Sequence, residues 1–241
     1  SLLAWLAGER AVEDTDGSIT LAAMNCYACH DRDGKGGPTV EANPYFVGDE
    51  AIGDSGRLPP PLTGIGHKLR SEWLQGVFAG KEGSRVRPYL KTEMPLYRAH
   101  AAALTAWLQR IDAQPEARPL TERESDLEAG RKLLGIHGGV NCITCHHWGE
   151  KKSLGIGALD ISALDERLRP EWFRGYLLDP AGYRADTLMP PLWPGGQSMV
   201  PDVLGGDTER QIAAIWHFIR KGEGPPEGFP AHAAGQYEIV P

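Results

Sequence analysis

All four cysteines of this chain fall in two copies of one short motif. Cys26, Cys29 and His30 spell C-x-x-C-H in "MNCYACHDRDG", and Cys142, Cys145 and His146 spell it again in "VNCITCHHWG". Two thiols at this spacing can add to the two vinyl groups on one edge of a porphyrin. A histidine directly after the second thiol then falls beneath the iron as an axial ligand. Two other chemistries use paired cysteines. A zinc site could take all four, but it would draw on both copies and leave both histidines without a role. A thioredoxin-like dithiol calls for a βαβ setting that the pattern lacks. The histidine in each copy favours haem attachment, one haem on each motif.

Iron held by one imidazole has a second face. Of the methionines Met24, Met94, Met189 and Met199, only Met94 and Met189 occupy matching places, in "TEMPLY" and "TLMPPLW", each followed by proline. Thioether sulfur is a soft, neutral ligand that favours ferrous iron, and the proline stiffens the loop presenting it. The expected iron ligands are His30 with Met94 and His146 with Met189. A methionine that merely fills a core gap is the plainer alternative.

The elements that must position these residues also repeat, which is how a long-period duplication shows itself. "KLRSEWLQGVF" and "RLRPEWFRGYL" match Trp73 with Trp172, and "LTAWLQ" and "IAAIWHFI" match Trp107 with Trp216. The histidine-to-tryptophan spacing is 43 residues in the first half and 26 in the second, so the first half carries insertions, mainly in "PTVEANPYFVGDEAIGDSGRLPPPL". A first domain is expected over 1–114, a linker over 115–124 around "AQPEARPL", and a second domain over 125–241. Thr121 with Glu124 and Ser125 with Glu128 form overlapping capping-box patterns for a helix running toward His137. Pro170 suits a first helical turn, and Thr208 with Gln211 suits a cap for the last helix. "LLAWLAGE" around Trp5 reads as an N-terminal helix. Alternating strand patterns are nearly absent, so the chain is expected to be mostly α.

With 30 glycines and 19 prolines in 241 residues, loops are extensive around short helices. The net charge is −7, with acidic excess in both halves and no basic patch for a phosphate backbone, so nucleic acid is not an expected partner. No apolar run reaches the length of a membrane span. "SLLAWLAGER" lacks the pattern of a leader peptide, which suggests a mature form or a fragment.

The segment "YLLDPAGYRADTLM" resembles the part of class I cytochromes c that carries the distal ligand. The resemblance implies two tandem class I cytochrome c-like domains. Tyr176 and Thr187 would line the methionine side of the second haem, with Thr92 the first-half counterpart and Val77 standing where Tyr176 does. It also implies a proline carbonyl against the free ring nitrogen of the haem histidine: Pro60 or Pro61 for His30, and in "ALDISAL" another carbonyl or Asp160. Trp73 and Trp172 would be haem-wall or core residues, and Arg57, Arg70, Arg169 or Arg174 could pair with haem propionates. "CYACHDRDGKGGP" and "RLRPEWFRGYLLDP" are more loosely similar to haem-binding regions of large exported proteins of Planctomycetes and Verrucomicrobia.

The implied function is electron transfer by a diheme cytochrome carrying two covalent c-type haems, extracytoplasmic, working with redox partner proteins or fused redox domains and without catalysis. A diheme peroxidase, with one open iron, is the enzymatic alternative, and a haem gas sensor is another. "DRDGKG" has Lys35 where a calcium loop needs a ligand, and reads as a turn. His67, His100, His137, His147, His217 and His232 have no counterparts between the halves and read as surface or packing residues.

Overall fold

The computed structural model describes residues 18–48, 50–87, 89–114 and 118–229. The helix expected around Trp5, and His232, lie outside the described residues. The chain divides into two compact units, Ser1–Pro115 and Glu116–Pro241.

The first unit contains α1 (Ser18–Ala23), α2 (Asp54–Arg57), α3 (Ile65–Lys68), α4 (Ser71–Ala79) and α5 (Ala101–Ile111). Helix α5 packs on α4 and α3, burying Leu104, Trp107 and Leu108 together with Leu74, Phe78 and Ile65. "DRDGKG" is a hairpin: β1 (Asp31–Arg32) pairs antiparallel with β2 (Lys35–Gly36). Its two central residues, Asp33 and Gly34, both have positive φ, 53° and 76°, the requirement of a tight hairpin turn. The hairpin is fixed from beneath by a buried ion pair. Arg32 Nη2 lies 2.6 Å from Asp112 Oδ1, just past α5, and Asp112 Oδ2 also accepts the Gly66 amide at 2.8 Å.

The second unit contains α6 (Leu127–Leu134), α7 (Leu164–Arg167), α8 (Pro170–Leu178), α9 (Pro180–Tyr183) and α10 (Thr208–Lys221). Helices α6 and α10 form its main packing pair. They cross at Gly130, where a Cβ would stand 2.0 Å from the Ala214 carbonyl oxygen. Only glycine permits that approach. Every residue of α10 from Gln211 to Ile219 is buried.

Pro170 does occupy the first turn of α8. The expected capping boxes do not form. Glu124–Asp126 is a 3-10 turn, Ser125 bonds to Asp126 Oδ1, and α6 begins after it and ends at Leu134, short of His137. The acids serve tertiary pairs instead: Asp126 takes two hydrogen bonds from Arg210, at 2.6 and 2.7 Å, and Glu122 and Glu124 bracket the buried His217. Likewise α10 is capped by Asp207, which accepts the Arg210 amide at 3.0 Å, rather than by Thr208.

Candidate cofactor sites

The two C-x-x-C-H motifs adopt the same backbone. Each first cysteine opens a 3-10 turn, Cys26–Ala28 in one unit and Cys142–Thr144 in the other. Each turn is entered through an asparagine in the left-handed region, Asn25 at φ 57° and Asn141 at φ 61°. Asparagine tolerates that conformation better than most residues. Each histidine amide then donates to the carbonyl of its first cysteine, His30 to Cys26 and His146 to Cys142, both at 2.9 Å. The shared asparagine was visible in "MNC" and "VNC"; its meaning lies in the turn.

Both imidazoles are held by a backbone carbonyl. His30 Nδ1 lies 2.7 Å from the Pro60 oxygen, and His146 Nδ1 lies 2.9 Å from the Leu159 oxygen. A carbonyl can only accept, so Nδ1 carries the proton and Nε2 keeps the lone pair that a metal would use. The carbonyl is that of Pro60 and not Pro61. In the second unit Asp160 is otherwise occupied, accepting the amides of Gly149 and Ser162 at 3.0 and 2.8 Å. Burial favours the neutral form of both rings. It pulls His30 and His146 below the ordinary histidine value, and the hydrogen-bonded carbonyls only partly oppose it.

The first cysteine of each motif is held as a thiol. Burial raises Cys26, and it pushes Cys142 up to about 12. A zinc site or a redox dithiol works through thiolate and depends on a lowered value. Among the described residues no group of three or more His, Cys, Asp or Glu is placed to hold a metal ion.

The methionine loops are anchored differently. In the second unit Tyr176 Oη lies 3.0 Å from Thr187 Oγ1, which accepts the Met189 amide at 3.2 Å. Tyr176 stacks on the buried Trp172, with ring centroids 4.8 Å apart. Further along, buried Trp193 donates to Gln211 Oε1 at 2.9 Å, and Gln211 Nε2 donates to the carbonyls of Val200 and Val203. This pins the loop beyond Met189 to α10. In the first unit Thr92 is exposed while Met94 and Trp73 are half-buried. The anchor there is Tyr97, which the sequence reading passed over. Its hydroxyl donates to the Met24 carbonyl at 2.9 Å, two residues before Cys26, and its amide to Phe78 at 2.8 Å. Tyr97 thereby ties the Met94 loop to the first motif.

Two of the four arginines expected to face propionates have partners within the protein. Arg174 is committed to Glu209 at 2.7 Å, and Arg57 to Asp54 and two loop carbonyls. The residue missed was Arg167. It is buried and makes no hydrogen bond among the described residues. Burial pulls it down to about 10 against a weak opposing pull from Asp160. Its charge also contributes to holding His146 down. A guanidinium largely withdrawn from water without a hydrogen-bond partner is costly. It suits a site that receives an anion, such as the carboxylates a haem carries. Thiols, a histidine with its Nε2 free and this cation together fit a covalently attached haem.

The architecture is thus a mostly helical one, with short helices and long loops around C-x-x-C-H motifs. Residues 16–112 match the cytochrome c family model. This match supports a c-type cytochrome carrying covalent haem c and serving haem-based electron transfer. Comparison with curated proteins and with solved structures gave no match. Among the described residues no helix is long and apolar enough to cross a membrane.

Proposed function

We propose that the chain is a diheme c-type cytochrome in which both units carry haem, ligated by His30 with Met94 and by His146 with Met189. It acts outside the cytoplasm as an electron relay, not as an enzyme. The observation that supports the second haem is the superposable course of the two motifs: left-handed asparagine, 3-10 turn, histidine amide on the first cysteine carbonyl, and imidazole Nδ1 on a backbone carbonyl. When bound, haem supplies the one-electron redox chemistry. The chain fixes each imidazole by Nδ1, keeps the thiols together at one edge, and holds the methionine loops through Tyr97 in one unit and Thr187 with Trp193 in the other. Iron with two protein ligands offers substrate no open position, so a carrier is the consistent role.

The test is mass spectrometry of the protein matured with its haem, joined to absorption spectroscopy. The wild type is expected to carry two haems, and Cys26→Ala/Cys29→Ala and Cys142→Ala/Cys145→Ala one each. Two low-spin irons with a near-infrared sulfur-to-iron band support the proposal. One haem in the wild type, or a high-spin iron that turns over peroxide, overturns it.

A further inference from the structure

The first unit carries a loop that the second lacks, between its C-x-x-C-H motif and the carbonyl that holds His30. The loop is held from inside at several points. Thr39 O accepts the amides of Ala42 and Asn43 at 3.1 and 2.8 Å, and Phe46 is buried. Arg57 donates to the carbonyls of Asn43 and Phe46 at 3.2 Å each. Gly48 is pressed so closely on Gly56 that a Cβ would stand 2.4 Å from the Gly56 oxygen. Arg87 donates to the Ser55 and Leu58 carbonyls at 2.9 Å each. Although the loop is secured this way, Val40, Tyr45 and Val47 point outward and are 85%, 80% and 65% exposed. Large apolar side chains displayed on a held loop are what a docking surface needs: contact area without an ordering cost on binding.

Two further features identify the occupant. Both ends of the loop attach to His30 itself: the Gly37 amide donates to the His30 carbonyl at 3.0 Å, and the Pro60 carbonyl holds His30 Nδ1. The loop therefore leaves from and returns to the first iron site. The charge of the loop is one-sided. Between Lys35 and His67 the sequence holds one lysine or arginine, Arg57, against four carboxylates. That arginine is spent on Asp54 and on the loop's own carbonyls, while Glu41 stands exposed beside Val40.

Building on the proposed electron-transfer function, we infer that the apolar tip Val40–Tyr45–Val47 is the docking surface for a small redox protein whose own docking face has an apolar centre and a lysine rim. The acidic excess of the loop sequence steers such a partner, and Tyr45 with its apolar neighbours holds it. The loop occurs in one unit only, so the partner exchanges electrons with the haem of His30 rather than that of His146.

The probe is zinc-substituted, lysine-rich mitochondrial cytochrome c, whose photoexcited state is quenched by electron transfer to ferric haem. The wild-type holoprotein is expected to quench it strongly at low salt and weakly at about 0.2 M salt. The Val40→Ser/Tyr45→Ser/Val47→Ser variant should lose at least about fivefold of the low-salt quenching constant. The same zinc protein with succinylated lysines should be quenched poorly by both. A small uncharged photoreductant should reduce wild type and variant equally. An unchanged constant in the variant overturns the docking surface. So does equal quenching of the succinylated probe, or a wild-type dimer that the variant converts to monomer, because the occupant would then be a second copy. If the small reductant finds no reducible haem, it is the electron-transfer reading that has failed.

Discussion

At the scale of single residues, the most informative side chain is one left without a hydrogen bond among the described residues. Arg167 is buried, its charge acts on His146, and desolvation alone pulls its guanidinium down to about 10. A buried positive charge beside an iron disfavours the ferric state, which carries one more positive charge than the ferrous, and so raises the potential. In the first unit the guanidinium that acts on the histidine is that of Arg87, which is engaged by the Ser55 and Leu58 carbonyls. Arg167→Gln is therefore expected to lower the potential of the His146 haem and leave that of the His30 haem in place, with haem content by mass unchanged. Arg167→Lys should recover part of the shift. Redox titration of the two variants checks this, and an unmoved potential in the glutamine variant would show that the charge is screened from the iron. The cysteines and histidines could be picked out by type and spacing alone, because haem attachment demands that spacing, and the proposed methionine ligands stand out because they repeat. Arg167 and Tyr97 could not: nothing in "DERLRP" or "MPLYRA" separates a buried cation from a solvated one, or an anchoring hydroxyl from an idle one.

At the scale of elements, local pattern and tertiary demand diverge in a way that explains which helices were legible. The two tryptophan helices, Ser71–Ala79 and Pro170–Leu178, and α5 follow their apolar periodicity, because the face they bury is written into consecutive turns, whereas α10 is buried on every side from Gln211 to Ile219. The start of α6 does not follow its capping pattern. Asp126, Glu122 and Glu124 find Arg210, Arg220 and His217 more than eighty residues away, and a window of four residues contains no trace of those partners. The Asp126 pair has a measurable consequence. Hydrogen bonding from Arg210 holds the Asp126 carboxyl below its ordinary value, against the opposing effect of burial. A carboxylate depressed in the folded state adds stability that is complete above its unfolded value, near 4, and is lost as pH falls through the lower folded value. Asp126→Asn is therefore expected to destabilise the holoprotein at neutral pH by about 1–3 kcal/mol, with the gap to wild type closing as the solution is acidified through that range. Denaturant unfolding at a series of pH values reads this directly. A gap that stays constant into acid would mean that the pair's ionisation contributes nothing.

At the scale of the whole molecule, the duplication produces two proposed haem sites that share the hold on the histidine and differ elsewhere. Each histidine meets a backbone carbonyl at nearly the same distance, 2.7 and 2.9 Å, so the axial imidazoles give no reason for unequal potentials. The differences lie around the methionine and in buried charge. Thr187 receives the Met189 amide and contacts Tyr176, whereas Thr92 is exposed and Val77 offers no hydroxyl. The second site also has the buried Arg167, whose charge acts on its histidine. A cation acting on the site stabilises the lower charge of the ferrous state. The His146 haem should therefore have the higher potential, and the His30 haem, next to the proposed docking loop, should be the point of entry. Redox titration of the wild type is expected to resolve two one-electron components. The Cys26→Ala/Cys29→Ala protein should retain only the higher one, and the Cys142→Ala/Cys145→Ala protein only the lower. With that order an electron delivered at the loop runs downhill to the second unit. If the higher component survives instead in the protein that keeps Cys26 and Cys29, the second unit is the donor to the first and the loop faces an acceptor, since the same surface then marks the exit.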